Sequence, residues 1–87
     1  MARYSLRFKN SVAKDLRTIP KRDVQALLKR IQALADEPRP RGCEKLTSAD
    51  VYRVRQGRYR ILYEIRDDVL IVLVIRVAKR SDAYEGT

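Results

Sequence analysis

Apolar and polar residues alternate at the start of the chain: in Arg3-Tyr4-Ser5-Leu6-Arg7-Phe8, Tyr4, Leu6 and Phe8 share one side. That period of two predicts a short strand with those three side chains facing inward. Asn10 or Ser11 then suits the cap of a brief helix carrying Val12 and Leu16. Pro20 interrupts the pattern and fits the first turn of a second helix. In that helix Val24, Leu27, Leu28, Ile31 and Leu34 recur at helical spacing, one apolar stripe on a charged cylinder. Asp36-Glu37-Pro38-Arg39-Pro40-Arg41-Gly42 ends the helical half as a stiff basic loop.

From Val51 the period returns to two. Residues 51–55, 58–66 and 69–78 read as three strands, separated by Gln56-Gly57 and Asp67-Asp68, both suited to tight two-residue hairpins. The predicted order is β-α-α-β-β-β: an α+β fold with two antiparallel helices on one face of a small, mainly antiparallel four-stranded sheet. With 87 residues it forms one domain spanning 1–87.

Register converts this pattern into chemistry. A turn at Gln56-Gly57 sets Arg55 opposite Arg58, Val54 opposite Tyr59 and Arg53 opposite Arg60. Opposed residues share a face. Tyr52, Val54, Tyr59, Ile61, Tyr63 and Ile65 then point toward the helices, and Arg53, Arg55, Arg58 and Arg60 point away. Like charges opposed on a hairpin destabilise it by a few tenths to about 1 kcal/mol per pair. Guanidinium groups gathered on adjacent strands also make a phosphate-binding surface, which gives that cost a use. Continued through Asp67-Asp68, the register sets Leu62 opposite Leu73 and Ile75 opposite Arg60. Leu62, Ile71, Leu73 and Ile75 join the arginine face, as a partner groove or as ground for the C-terminal tail.

Composition supports this reading. Lys and Arg total 20 against 11 Asp and Glu, a net charge of +9. Arginines at 3, 7, 17, 22, 30, 39, 41, 53, 55, 58, 60, 66, 76 and 80 outnumber the lysines, favouring planar recognition of phosphate or carboxylate. Histidine is absent and Cys43 is the only cysteine, so imidazole catalysis, a disulfide framework and a Cys/His metal site are excluded. No metal and no cofactor is expected. The first residues carry no secretory leader pattern, and the longest apolar run, 69–75, is far too short for a bilayer span. A cytoplasmic protein with no membrane partner is expected.

The segments Lys45-Leu46, Val51-Tyr52-Arg53-Val54-Arg55, Gly57-Arg58-Tyr59-Arg60-Ile61-Leu62-Tyr63 and Val77-Ala78-Lys79-Arg80 through Tyr84 resemble the RelE/ParE superfamily of bacterial and archaeal toxins. The helical half, Lys14 through Pro38, follows the family pattern too. The resemblance implies a type II toxin of the RelE kind, a metal-independent endoribonuclease (an mRNA interferase). Such an enzyme inhibits translation by cleaving mRNA in the ribosomal A site, beside the 16S rRNA, using the RNA's own 2′-hydroxyl. It also implies a RelB-like antitoxin. By the resemblance Arg60 binds the scissile phosphate, Arg53 and Arg55 stand where relatives often have lysine, and Arg80 and Tyr84 match a C-terminal arginine and tyrosine. These five form the expected catalytic set, with Lys45, Arg58 and Lys79 expected to bind RNA. Arginine stays protonated and cannot act as an ordinary base. Tyr84, a phenol among guanidinium groups, is the first candidate for proton acceptor, or equally a stacking platform, and Lys79 is the second. A ParE-like DNA gyrase poison and a non-catalytic basic nucleic-acid-binding module are the competing readings.

Overall fold

The computed structural model describes residues 3–46 and 50–79. The expected α+β class and helix pair are present: β1 (Ser5–Phe8), α1 (Asn10–Arg17), α2 (Lys21–Asp36), β2 (Glu44–Lys45), β3 (Val51–Gln56), β4 (Tyr59–Arg66) and β5 (Ile71–Lys79). The sheet gains a fifth member, the two-residue β2, in the order β1-β5-β4-β3-β2. Strand β1 runs parallel to β5 and the other pairings are antiparallel. A parallel pairing needs a long crossover, and the α1–α2 pair belongs to it.

Helix α1 begins at Asn10 itself, with Lys9 in extended conformation before it and no side-chain cap. Pro20 sits one position ahead of α2, at φ −55°. Its fixed φ suits that junction and its missing N–H costs nothing there. Helix α2 stops at Asp36 because Glu37 precedes Pro38 and is pushed to extended geometry. The stripe behaves as the spacing predicts: Leu27, Ile31 and Leu34 are fully buried, with Val24 and Leu28 packed at the margin. Val12 of α1 is buried and Leu16 borders the core. Tyr4 and Leu6 also pack against it, but Phe8, expected inward, is exposed at the end of β1.

Both hairpin turns differ from expectation. The first central pair is Gly57-Arg58, so Gln56 opposes Tyr59, Arg55 opposes Arg60, Val54 opposes Ile61 and Arg53 opposes Leu62. Gly57 has φ +60° while Arg58 does not share the left-handed region, the type II′ pattern that requires glycine first. The second turn occupies residues 67–70 and ends on Leu70 at φ +55°, an uncommon geometry for a non-glycine residue. Each slip is by two residues, so the turns alone leave every side chain on the face the alternation gives it, as far as Val74 on β5. Tyr52, Val54, Tyr59, Ile61, Tyr63 and Ile65 are buried under the helices as expected. What changes is which residues are neighbours.

A β-bulge then divides the β4–β5 pairing. Tyr63 opposes Val74, but Leu62 opposes Arg76 and Arg60 opposes Ala78, leaving Ile75 as the extra residue. The expected Leu62–Leu73 and Arg60–Ile75 pairs are therefore replaced.

Candidate nucleic-acid interface

On the face away from the helices the pairings line up in rows. Arg55, Arg60 and Ala78 form one, and Glu44, Arg53, Leu62 and Arg76 form the next. Val51, Glu64, Leu73 and Arg7 form a third, with Arg66, Ile71 and Ser5 beyond it. The cationic end comprises Arg53, Arg55, Arg60 and Arg76. The other end is mainly Val51, Leu62, Ile71, Leu73 and Ile75, all half-buried.

Arg60 lies at the centre of the cationic end. It is only 2% exposed, the largest fully buried side chain among the described residues, and is held in contacts of its own. An exposed hairpin of splayed arginines is thus not what forms. A guanidinium keeps its charge when buried, and the field it projects is stronger for the reduced dielectric around it. Arg53 donates to the Glu44 carboxylate across the β2–β3 pairing, with its side chain 19% exposed. Arg55 is exposed and directly opposes Arg60, the one like-charge cross-strand pair where two were expected.

The other expected residues separate from this cluster. Lys45 opposes Tyr52, and Lys79 opposes Tyr59. Both tyrosines are on the helix-covered side, so both lysines lie on the opposite face from Arg60. Arg58 is exposed in the β3–β4 turn, at the end of the sheet. Arg80 and Tyr84 lie outside the described residues.

The described tyrosines are committed to structure. Tyr4 donates to Asp67 (2.6 Å), Tyr59 to Asp23 (2.9 Å) and Tyr63 to the Pro38 carbonyl (2.7 Å). Tyr52 accepts from Arg39 Nε and stacks on Tyr63 at 6.0 Å between centroids. The hydrogen bond to Asp67 raises the Tyr4 pKa; burial, followed by the contact with Asp23, raises that of Tyr59. Burial drives Tyr63 well above the ordinary phenol range. Tyr4, Tyr59 and Tyr63, each held protonated by its raised pKa, do not serve as bases.

Arg39, from the loop expected to be simply basic, forms a two-pronged pair with Asp67 (3.2 and 2.8 Å) and lies 5.2 Å from the Tyr52 ring centre. That pair and the Tyr4 hydroxyl pull the Asp67 carboxyl down to about 2. The loop after α2 is thereby fastened to the β4–β5 turn, away from the cationic end.

Sequence reasoning missed Arg76. The expected register puts it on the buried face, and an arginine landing there in an otherwise apolar strand is the available signal that a bulge intervenes.

Comparison with known proteins agrees with this architecture. Residues 6–84 match the family described as ParE toxin of type II toxin-antitoxin system, parDE. The chain is 32% identical to Toxin RelG of Mycobacterium tuberculosis, over 93% of this chain and 95% of that protein. A chain of the M. tuberculosis toxin–antitoxin complex RelBE2 superposes with a TM-score of 0.81 at 32% identity, covering 90% of this chain and 99% of its own length. The RelE–RelB complex of the archaeon Pyrococcus horikoshii gives 0.81 at 28% identity, with 92% and 97% covered. With this fold and these relatives, the chain belongs to the RelE/ParE superfamily of type II toxin–antitoxin toxins, on its RelE-type branch.

Proposed function

We propose that the protein is an mRNA endonuclease that cuts codons in the ribosomal A site. The observation that carries this reading is the cationic end of the sheet, with Arg60 buried at its centre and Arg53, Arg55 and Arg76 around it. In the reaction, the RNA 2′-hydroxyl attacks the adjacent phosphorus and loses its proton. The bond from phosphorus to the 5′-oxygen breaks, that oxygen takes up a proton, and a 2′,3′-cyclic phosphate and a 5′-hydroxyl remain. Negative charge builds on the phosphoryl oxygens in the transition state. Preorganised guanidinium groups stabilise that charge without reorganising, the largest single catalytic effect open to this residue set.

Arg60 is the phosphate ligand, and the RNA reaches it by exchanging for its present contacts. Arg53 and Arg55 flank the phosphate. Lys79 is set on the far side of the sheet and the described tyrosines are committed, so Tyr84 is the proton acceptor in this reading, with Arg80 as a further phosphate ligand. Arg58, in the exposed turn, and Lys45, at the sheet edge, are peripheral RNA contacts. A single-turnover cleavage rate unchanged by Tyr84→Phe would remove Tyr84 from proton transfer.

A RelB-like antitoxin is the expected silencing partner, since several of the similar structures are RelE–RelB complexes. An acidic segment that orders on binding suits the +9 charge and the half-buried Leu62, Ile71, Leu73 and Ile75 strip.

The test is primer extension on a defined mRNA in a reconstituted bacterial translation reaction, comparing wild type with Arg60→Ala and the exposed Arg55→Ala. Codon-phased cuts that require ribosomes, vanish in Arg60→Ala and weaken in Arg55→Ala are expected. Undiminished cuts in a folded Arg60→Ala protein, or none from wild type, would overturn the reading. The match to the ParE family description favours one second reading, gyrase poisoning, which predicts gyrase-dependent DNA breaks in place of RNA cuts.

A further inference from the structure

We propose that Arg76 forms a second phosphate position, binding a non-scissile phosphodiester as the RNA leaves Arg60 across the outer edge of β5. The inference deepens the nuclease reading and rests on it for the direction of the strand.

It begins with the bulge. Had the pairing of Tyr63 with Val74 continued without interruption, Ile75 would face Leu62 and Arg76 would face Ile61, inside the core. A charge buried there without a partner is prohibitive. The extra residue at Ile75 instead moves Arg76 opposite Leu62 and returns Val77 to the core, where it is 2% exposed. Re-aiming one side chain next to a functional site is a recurrent use of bulges.

The local backbone is held in this arrangement. Strand β1 stops at Phe8, opposite Val74, so among the described residues β5 beyond that point has no strand on its outer side. The Val77 N–H exposed there is taken by a carboxylate oxygen of Asp15, reaching from α1 at 3.1 Å. Asp15 therefore meets a backbone donor, and the arginine beside it has no counterion among the described residues.

Arg76 is exposed and, among the described residues, has no ion pair. In this it resembles Arg55 and differs from Arg53 and Arg66, which face Glu44 and Glu64. It stands one strand and one row from Arg60, a Cα separation of about 8 Å from ordinary strand spacing and rise. That separation suits neighbouring phosphates of an extended strand. Beyond it lies an open cleft of about 330 Å³ at the strand edge, lined by Arg76, Lys79, Thr18 and Asp15 among others. Arg76 enters it from the arginine face and Lys79 from the helix face, so positive charge continues around the edge. A guanidinium at the entrance recognises a phosphodiester through paired N–H donors.

The probe is a fluorescein-labelled single-stranded RNA with every 2′-hydroxyl methylated, which cannot be cleaved. Its binding is followed by anisotropy between about 50 and 200 mM salt, the range over which phosphate contacts weaken steeply. Losing one phosphate contact on a single strand lowers the slope of log K against log salt by about 0.7. Arg76→Ala is expected to show that loss and Arg76→Lys to regain most of it, while Lys29→Ala on α2 leaves the slope unchanged. An Arg76→Ala slope equal to wild type overturns the proposal, as does wild type that fails to bind the RNA. An unchanged slope together with weakened antitoxin binding overturns it too and assigns Arg76 to the protein partner. The readout needs neither ribosomes nor cleavage. Cuts by wild type with an unchanged slope in Arg76→Ala therefore remove this subsite alone. A reduced slope without cuts from wild type removes the nuclease reading and leaves the phosphate contact standing.

Discussion

On the helix-facing side of β3 and β4, Tyr52, Val54, Ile61 and Tyr63 are closed in, and each tyrosine oxygen meets a named partner. One residue along on the same strands, Arg53, Arg55 and Arg60 point to the other face. There Arg55 and Arg60 sit directly opposed, an arrangement that works against the hairpin. The first face satisfies its polar atoms internally and gains from burial. The second concentrates charge of one sign where stability alone favours Thr or Gln. Alternation at period two lets one hairpin do both, because substitutions on either face leave the other's register intact.

The sharpest way to break this contrast is a cavity on the helix side. Ile61→Ala is expected to lower stability by about 2–5 kcal/mol, measured by urea denaturation, with the specific activity of the folded fraction kept. Tyr63→Phe deletes the hydroxyl donated to Pro38 and is expected to lose about 1 kcal/mol. Because burial raises the Tyr63 pKa, the folded state holds that proton more tightly than the unfolded one. Stability from this group is complete below about pH 10 and declines as pH rises past it, a decline Tyr63→Phe abolishes.

On the arginine face the sign reverses. Arg55→Thr is expected to raise stability by a few tenths to about 1 kcal/mol by removing the opposed pair. On the proposed function, RNA cleavage by the same protein is expected to fall. Unchanged stability would mean that Arg55 and Arg60 already diverge enough to escape repulsion. The smallest effect is expected at Asp67. Its carboxyl, lowered from 3.8 to about 2, contributes stability that is present above about pH 4 and lost as pH falls toward 2. Asp67→Asn should flatten the acid limb of a thermal-melt pH series, melting slightly below wild type at neutral pH and together with it near pH 2.

Most of the fold was legible because periodicity reports which face a residue occupies. The stripe from Leu27 to Leu34 and the inward tyrosines needed nothing more. Neighbours across strands were less legible, since they depend on turn chemistry: Gly57 occupies the first central position that a type II′ turn demands, and Leu70 adopts a left-handed φ that no local signal announces. A two-residue slip is invisible to alternation. Hence Arg53, Arg55 and Arg60 were assigned to the correct face, while their opposite residues were not. Lys45 and Lys79 stand apart from the arginines for a different reason. Motif adjacency puts them near the arginines in sequence, whereas strand parity puts them across the sheet. Arg76 was hidden because a bulge is one residue long and changes parity only beyond it.

The parallel pairing of β1 with β5 has a consequence in time. The N-terminal strand finds its only sheet neighbour in the last described strand, and Tyr4 reaches Asp67 across 63 positions of sequence. Contacts of such range form late, after the chain between them has been made. During synthesis the helices can form early, but β1 has no sheet to join until β5 emerges. Arg76 rides on that same strand, and Arg60 meets its neighbour Ala78 there. The basic face of the nascent chain therefore becomes whole only once β5 has been made.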